Sequence, residues 1–329
     1  MKKIKIVVNL FILIAVFASP ANAQLKKLAQ TGLQFLKIDA GARAAAMGGA
    51  MTNAGYDANS VFYNPAGIAR MEYGTDVLLN NTQWIADISY NSFSAAYTLE
   101  GIGTFGVHGL FTDYGDDIVG TRVAANEQGY ITTGKVDVSG YSFGISYAKN
   151  LSDRFSVGGT IKFIGQSLGS NLMPNGNTKD NKVSGVAFDF GTIFYPGWES
   201  FRFGMSVRNF GPELQYEKES FEAPLTFTFG AAFNFLDMFE VGEEQQLLVS
   251  IDLQHPRDYT ERVHMGAEYI FMDVLALRAG YKTNYDNEGL TFGAGLFYEL
   301  SGVNLKVDYS YNDMEFFSGV NRFTVGFSF

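Results

Sequence analysis

The sequence predicts an all-β protein: a transmembrane antiparallel β-barrel of about 14 strands with an N-terminal plug segment. Three observations lead to this prediction. Apolar and polar residues alternate with a period of two over most of the chain beyond residue 75, as they do in strands. Hydrophobic residues make up 47% of the chain, yet no stretch after residue 23 approaches the roughly 18 uninterrupted apolar residues of a transmembrane helix. The composition is rich in Phe (30), Tyr (18) and Gly (37) and poor in Pro (7), which favours strands.

The first 23 residues have the features of a secretory signal peptide. Lysines at positions 2, 3 and 5 precede an apolar run from Ile6 to Phe17, and the small residues Ala21 and Ala23 suit cleavage before Gln24. The run is too short to span a bilayer as a helix, so a retained anchor is the weaker interpretation. We therefore expect residues 1–23 to be removed during export. Since residue 24 is Gln rather than Cys, a lipoprotein anchor is not expected.

Composition excludes several classes of function. The chain has no cysteine, which rules out disulfides, Cys-ligated zinc and thiol catalysis. It carries 24 Lys and Arg against 34 Asp and Glu, a formal charge of −10, which argues against a nucleic-acid partner.

The alternation is clearest in segment 225–235. There Leu225, Phe227 and Phe229 share one face with further apolar residues, while Thr226 and Thr228 lie on the other. A soluble β-sandwich also alternates in this way. A barrel is favoured because the apolar face is large throughout the chain and the opposite face is charged, with Lys162, Arg202, Arg208, Asp252, Glu268, Arg278 and Lys306.

The same reading divides the chain into a signal peptide (1–23), a plug segment (24–75) and a transmembrane barrel (76–329). Strands are predicted near 76–81, 86–98, 101–113, 136–149, 154–168, 183–195, 200–210, 224–235, 246–255, 262–271, 274–284, 289–299, 303–312 and 320–329. An even number of strands is what bacterial barrels require.

Connection lengths provide an independent test, because outer-membrane barrels alternate short periplasmic turns with longer external loops. The connections 114–135, 169–182 and 211–223 are long, and we expect them to be polar external loops. Most of the others are tight turns, although 236–245 is longer than the rule prefers. We therefore expect the chain to lie in the outer membrane of a Gram-negative-type bacterium, in contact with outer-membrane lipids.

The last predicted strand ends on an aromatic residue. Phe323, Val325, Phe327 and Phe329 share one face. This arrangement is similar to the C-terminal signal that the barrel-assembly machinery recognises, so we expect that machinery to be a partner. An ordinary amphipathic strand is the alternative.

Residues 24–75 break the alternation. They contain the small-residue run Gly41-Ala42-Arg43-Ala44-Ala45-Ala46-Met47-Gly48-Gly49-Ala50 and then Asn64-Pro65-Ala66-Gly67, in which Asn-Pro and Gly favour a tight turn. A disordered leader is the alternative, but low polarity and the lack of a charge run disfavour it.

Together, "GARAAAMGGA" at 41–50 and "NSVFYNPAGIA" at 59–69 resemble the PorV/PorQ family within the FadL-like superfamily of outer-membrane barrels. The resemblance implies that the segment folds into the barrel as a plug. Its motif residues are Gly41, Ala42, Arg43, Gly48, Gly49, Asn64, Pro65, Ala66 and Gly67. If the segment lies in the lumen, we expect Arg43 to pair with a lumenal carboxylate such as Asp252 or Glu268.

The resemblance further implies a role in type IX protein secretion. Relatives bind exported cargo or translocon and attachment partners at the cell surface. The alternative is a FadL-like transporter for hydrophobic small molecules. A nonspecific porin is disfavoured by the plug.

Catalysis is not expected, and neither is a cofactor. The pattern Gly101-Ile102-Gly103-Thr104-Phe105-Gly106 resembles a dinucleotide-binding motif but leads into an alternating strand instead of a helix. The histidines at 108, 255 and 264 have no recognisable metal-ligand spacing. A triad built on His108 or His264 stays open on spacing alone. Mixed charges on the inward face predict a salt-bridged lining, with an ion-selective pore as the alternative.

Overall fold

The computed structural model describes residues 30–115, 118–173, 176–239 and 244–329. The expected signal peptide and residues 24–29 of the expected plug lie outside the described residues. Fourteen strands close into one antiparallel barrel. They are β1 (Thr75–Gln83), β2 (Ser89–Leu99), β3 (Gly103–Asp113), β6 (Ser139–Ser152), β7 (Phe155–Leu172), β8 (Thr178–Phe194), β9 (Arg202–Phe210), β12 (Thr226–Asn234), β13 (Gln245–Pro256), β14 (Arg262–Phe271), β15 (Leu275–Lys282), β16 (Glu288–Leu300), β17 (Val303–Met314) and β18 (Val320–Ser328). Two small hairpins, β4 (Val119–Val123) with β5 (Tyr130–Lys135) and β10 (Leu214–Gln215) with β11 (Ser220–Phe221), stand outside the barrel.

Each barrel strand pairs with the barrel strands that precede and follow it in the chain. The barrel closes between β1 and β18, where Asp76 lies opposite Ser328 and Gln83 opposite Asn321. The predicted fold class and strand number are therefore confirmed. The apparent dinucleotide motif ends in β3 and precedes no helix, so its glycines belong to a turn and a strand.

Side chains alternate between the two faces of the barrel wall. On β12, Phe227 and Phe229 are 38% and 39% exposed, whereas Thr226 and Thr228 are 4% and 1% exposed. The same parity places apolar residues outside and the predicted charged residues inside on the other strands. An apolar exterior around a polar interior is what a lipid-facing barrel requires.

The two ends of the barrel differ in their connections. At one end, here called the turn end, strands are joined by tight turns such as 153–154 and 301–302. The longer 235–244 connection at this end begins with a 3-10 turn, Phe235–Met238. At the other end, the loop end, β4 and β5 and then β10 and β11 form hairpins, and β7 and β8 extend past the wall as a third. Among the described residues, no helix is both long and apolar enough to cross a membrane.

Residues 30–74, here called the lumenal segment, run along the inside of the barrel. Near the loop end, Thr31 bridges to Glu222, and near the turn end Arg70 donates hydrogen bonds to the carbonyls of Ser152 and Asp153. Its regular pieces are the helix Ala42–Ala46 and the 3-10 turns Gln34–Lys37, Ala58–Phe62 and Pro65–Arg70. The first three pieces stay short because the segments between them contain glycines, at 41, 48, 49 and 55.

Candidate functional site

The first motif forms a tight helical bend against the barrel wall. Gly41, Gly48 and Gly49 have φ angles of 88°, 63° and 76°, a region that favours glycine. A side chain at Gly48 would lie 2.8 Å from the Met265 carbonyl oxygen. The Ala42 N–H donates to Thr324 Oγ1 at 2.8 Å, and the Ala42 side chain is fully buried. Small residues at these positions thus let backbone lie directly on the wall.

Arg43 is the charged centre of this motif. Its Nη2 and Nε lie 2.7 and 2.9 Å from the two carboxylate oxygens of Glu268, and its Nη1 lies 3.3 Å from Asp57. Arg278 shares Glu268 and also donates to Asp308 at 2.6 Å. Of the two predicted partners of Arg43, the structure selects Glu268. The other predicted partner, Asp252, instead accepts the Thr52 N–H at 2.9 Å.

The second motif ties two bends of the lumenal segment to strand β8. Asn64 donates to the carbonyls of Thr52 (2.8 Å) and Thr192 (3.1 Å), and its Oδ1 accepts the Ala66 N–H. Pro65 begins the following 3-10 turn, where its missing N–H costs nothing. A side chain at Gly67 would lie 2.7 Å from the Gly55 carbonyl oxygen, so a close backbone approach requires this glycine.

Inward glycines of the wall receive the segment. A Cβ at Gly158 would meet Pro65 and Ala66 backbone atoms at 2.5 Å, and one at Gly266 would meet the Met47 carbonyl oxygen at 2.5 Å. The same relationship recurs on other strands and was not predicted from the sequence, although inward parity marks these positions. Wall glycines that press against the segment are Gly106, Gly158, Gly191, Gly204, Gly230, Gly266, Gly280 and Gly293.

The lumen divides into two halves. The turn half holds the two motifs and is closely packed. The loop half contains a cavity of about 220 Å³, lined by Gln34, Leu36, Lys37, Ile38, Asp39, Trp84, Arg208, Asn209, Thr226, Gln254, Pro256, Arg262, His264, Lys282, Tyr285, Glu288 and Arg322. We call this the loop-half cavity. Lys282 pairs there with Asp39 at 2.7 Å and with Glu288 at 2.6 Å.

Aromatic side chains hold a cation in this cavity. The Arg262 guanidinium lies 3.8 Å from the Tyr285 ring centroid and 4.4 Å from that of Tyr259. Tyr285 also hydrogen-bonds His264 Nε2 at 2.9 Å. Both tyrosines lie on connections of the loop end, Tyr259 between β13 and β14 and Tyr285 between β15 and β16. Tyr285 thus brings a loop-end connection into the lining of the cavity.

The two inward histidines have different neighbours. His264 contacts Gln254 and Tyr285, while the ring of His108 packs on Phe62 at 4.8 Å. Among the described residues, no cluster of His, Asp and Glu has the arrangement of a metal site.

Asp258 anchors the start of the lumenal segment at the loop end. It accepts hydrogen bonds from Thr31 (2.7 Å), Gln34 (2.9 Å) and Lys37 (2.9 Å). Burial raises the pKa of Asp258, but these hydrogen bonds and the Lys37 charge outweigh it, so the pKa lies below its ordinary value of 3.8. Sequence reasoning missed this residue because no local pattern marks it.

The external loops expose apolar side chains. On the 114–135 connection, Val119, Val123 and Tyr130 of the hairpin are 48%, 89% and 46% exposed beside its polar residues. Phe316 between β17 and β18 is 72% exposed. Leu172 and Met173 at the β7–β8 hairpin are exposed as well.

The last strand presents the predicted apolar face. Phe323, Val325 and Phe327 point outward on β18, and Phe329 follows them; all four are exposed on the barrel exterior. Whether the assembly machinery recognises them stays a prediction.

Solved structures share this architecture. The toluene transporter TodX of Pseudomonas putida is 14% identical with a TM-score of 0.57, and the match covers 88% of this chain and 97% of TodX. The toluene transporter TbuX of Ralstonia pickettii is 15% identical with a TM-score of 0.53, covering 87% and 96%. At this identity the likeness shows the fold. The protein is an outer-membrane barrel of a Gram-negative-type bacterium with a FadL-like fold.

Sequence comparison gives the family. No curated protein matches the chain significantly. The family model described as type IX secretion system protein PorV matches residues 21–254, which include the whole lumenal segment and the barrel from β1 into β13. The chain therefore belongs to the PorV family of type IX secretion system proteins.

Proposed function

We propose that this chain is a non-catalytic component of type IX secretion that binds exported proteins, or the translocon and attachment proteins that handle them, at its loop end. The observation that carries the proposal is a set of apolar side chains exposed on hairpins beyond the barrel wall, above a lumen that the lumenal segment occupies.

The hairpins stand clear of the bilayer. Strands β7 and β8 have 18 and 17 residues, whereas a transmembrane strand needs about 9–11. The excess projects from the loop end, beside the β4–β5 hairpin. Exposed apolar groups outside the lipid zone are typical of protein-binding surfaces, and hairpin edges also offer unpaired backbone groups to an added strand.

The lumenal segment acts as a plug in this proposal. Its ion pairs with Glu268 and its contacts with the wall glycines fill the turn half. A lumen filled in this way does not suit bulk diffusion, which disfavours a nonspecific porin. Residues 1–23 act as the export signal, and the apolar face of β18 serves the barrel-assembly machinery.

The alternative is a FadL-like conduit for hydrophobic small molecules. It is supported by the fold shared with the toluene transporters. The lining of the loop-half cavity favours the secretion role instead, because five of its residues are Lys or Arg and a hydrophobic ligand offers these buried cations no ion-pair or hydrogen-bond partner.

The test isolates the detergent-solubilised barrel from its own cells and identifies the proteins that accompany it. We expect secreted proteins or translocon components, and we expect gene deletion to leave exported proteins in the periplasm. Replacing Val119, Val123 and Tyr130 together by Ser should abolish the association.

The matched control replaces three exposed apolar residues of the turn end, Trp198, Met272 and Val274, by Ser. It should leave the association intact. Normal secretion in the deletion strain, together with impaired uptake of a hydrophobic compound, would favour the conduit instead.

A further inference from the structure

The structure assigns a binding site for a compact organic carboxylate to the loop-half cavity, with the Arg322 guanidinium as the group that receives the carboxylate. This site goes beyond the proposed function, since it lies inside the lumen and needs no protein partner.

Arg322 is the strongest evidence. It projects inward from β18 and is 1% exposed, yet within the described chain none of its three guanidinium nitrogens has a hydrogen-bond partner. Its guanidinium lies 5.5 Å from the Trp84 ring centroid. A buried guanidinium offers donors in a fixed fork that matches a carboxylate, so its partner is missing from the protein and expected from a ligand.

The other charges of the cavity leave a cationic excess. Of the lining cations, Lys282 is paired with Asp39 and Glu288, and Lys37 with Asp258. The three arginines, Arg208, Arg262 and Arg322, form no ion pair with the described residues. The lining holds five cations against the two carboxylates Asp39 and Glu288, so an incoming anion meets an excess of positive charge.

The size and the walls limit the ligand. At about 220 Å³ the cavity is smaller than the roughly 300–1,000 Å³ of drug-sized sites. Leu36, Ile38, Trp84 and Pro256 supply apolar and aromatic surface beside the arginines. A ligand with one carboxylate on a small apolar or aromatic group can contact both the arginines and the apolar residues. An inorganic anion contacts only the arginines.

A purely structural role for Arg322 makes the opposite prediction. A guanidinium that held the fold together would be paired, and its removal would destabilise the barrel. An unpaired buried charge destabilises the fold that contains it. Replacing Arg322 by an apolar residue of similar length should therefore not lower the stability of the barrel.

The experiment titrates the full, detergent-solubilised barrel by calorimetry with sodium benzoate, its neutral isostere benzamide, and inorganic phosphate. We expect saturable 1:1 binding of benzoate, with benzamide and phosphate each at least about tenfold weaker. Arg322→Met should weaken benzoate at least about tenfold without lowering the thermal midpoint of the ligand-free protein. Arg154→Met, the same substitution on an exposed arginine at the turn end, should bind benzoate like the unaltered protein.

Several results would overturn the site. They are the absence of saturable benzoate binding, equal binding of phosphate, equal losses in the two arginine variants, and a lower midpoint for ligand-free Arg322→Met. Should that variant not fold, crystals of the unaltered barrel soaked with 4-iodobenzoate decide the question. Anomalous density beside Arg322 supports the site, and its absence refutes it. Loss of partner binding in the hairpin variant leaves these outcomes unchanged, so the two proposals fail separately.

Discussion

The two halves of the lumen differ in whether their inward-facing arginines are paired with carboxylates. In the turn half, Arg43 and Arg278 share Glu268, and Arg278 also reaches Asp308, so cations and carboxylates alternate at 2.5–2.7 Å. In the loop half, Arg322 is as deeply buried as Arg278 but has no such partner in the described chain. The two arginines of the turn half are thus paired with carboxylates, whereas the loop half holds a buried guanidinium that forms no ion pair with a described residue. Inward polarity by itself does not distinguish the two cases.

The largest effect should come from breaking the turn-half network. Glu268→Gln leaves two buried guanidiniums without the carboxylate between them, and we expect a loss of about 3–5 kcal/mol in the free energy of unfolding. Urea unfolding of the detergent-refolded barrel measures it. Glu299→Gln, on an exposed side chain of β16, is the matched control and should change little. Equal stability of the two variants would show that the turn half is no more tightly coupled than the surface.

A smaller effect should follow from filling the contact between wall and segment. Gly158→Val forces a side chain against the Pro65 and Ala66 backbone, and overpacking of this kind costs about 1–3 kcal/mol. Its neighbour Gly159 has only ordinary contacts, with Asp189 O at 3.6 Å, so Gly159→Val is a control one position away.

Thermal unfolding and protease sensitivity of the lumenal segment should both separate these variants. If the two behaved alike, the close packing assigned to the turn half would be wrong.

The smallest effect concerns the anchor at the loop half. The pKa of Asp258 is lowered, because its hydrogen bonds and the Lys37 charge outweigh the effect of burial. Its contribution to the free energy of unfolding is therefore complete above the ordinary pKa of 3.8 and is lost as the pH falls through the lower pKa of the folded state. We expect this contribution to the free energy of unfolding to be about 1 kcal/mol, since the carboxylate is partly solvated.

Trp84 provides the readout, because it packs against the Leu33 and Phe35 cluster that this anchor positions. In a Trp198→Phe background its fluorescence should change on acidification. Asp258→Asn should show the changed signal already at neutral pH and no acid transition. An acid transition that persisted in Asp258→Asn would assign it to another group.

The sequence by itself predicted most of the fold. All fourteen strands were found, and the parity of residues such as Phe229 and Thr228 was right, because lipid outside and polar groups inside impose a period of two that any short window displays. The two motifs were also marked, since their run of small residues and their Asn-Pro turn are local features. The exposed hairpin of 114–135 was not foreseen, because a loop's composition does not say which of its side chains it buries.

Only the tertiary structure decided which inward groups meet. Arg43 and Glu268 are 225 residues apart, and their contact depends on the stagger of the strands and the path of the lumenal segment. The sequence offered Glu268 and Asp252 as candidates of equal standing. Both face the lumen, Asp252 from β13 and Glu268 from the adjacent strand β14. Arg322 could not be identified from the sequence for the same reason. Strand parity predicts that it faces the lumen, but only the packed structure shows that no described carboxylate forms a hydrogen bond with it. Strand periodicity is a local property of the chain, whereas the pairing of buried charges is set by where distant strands bring them.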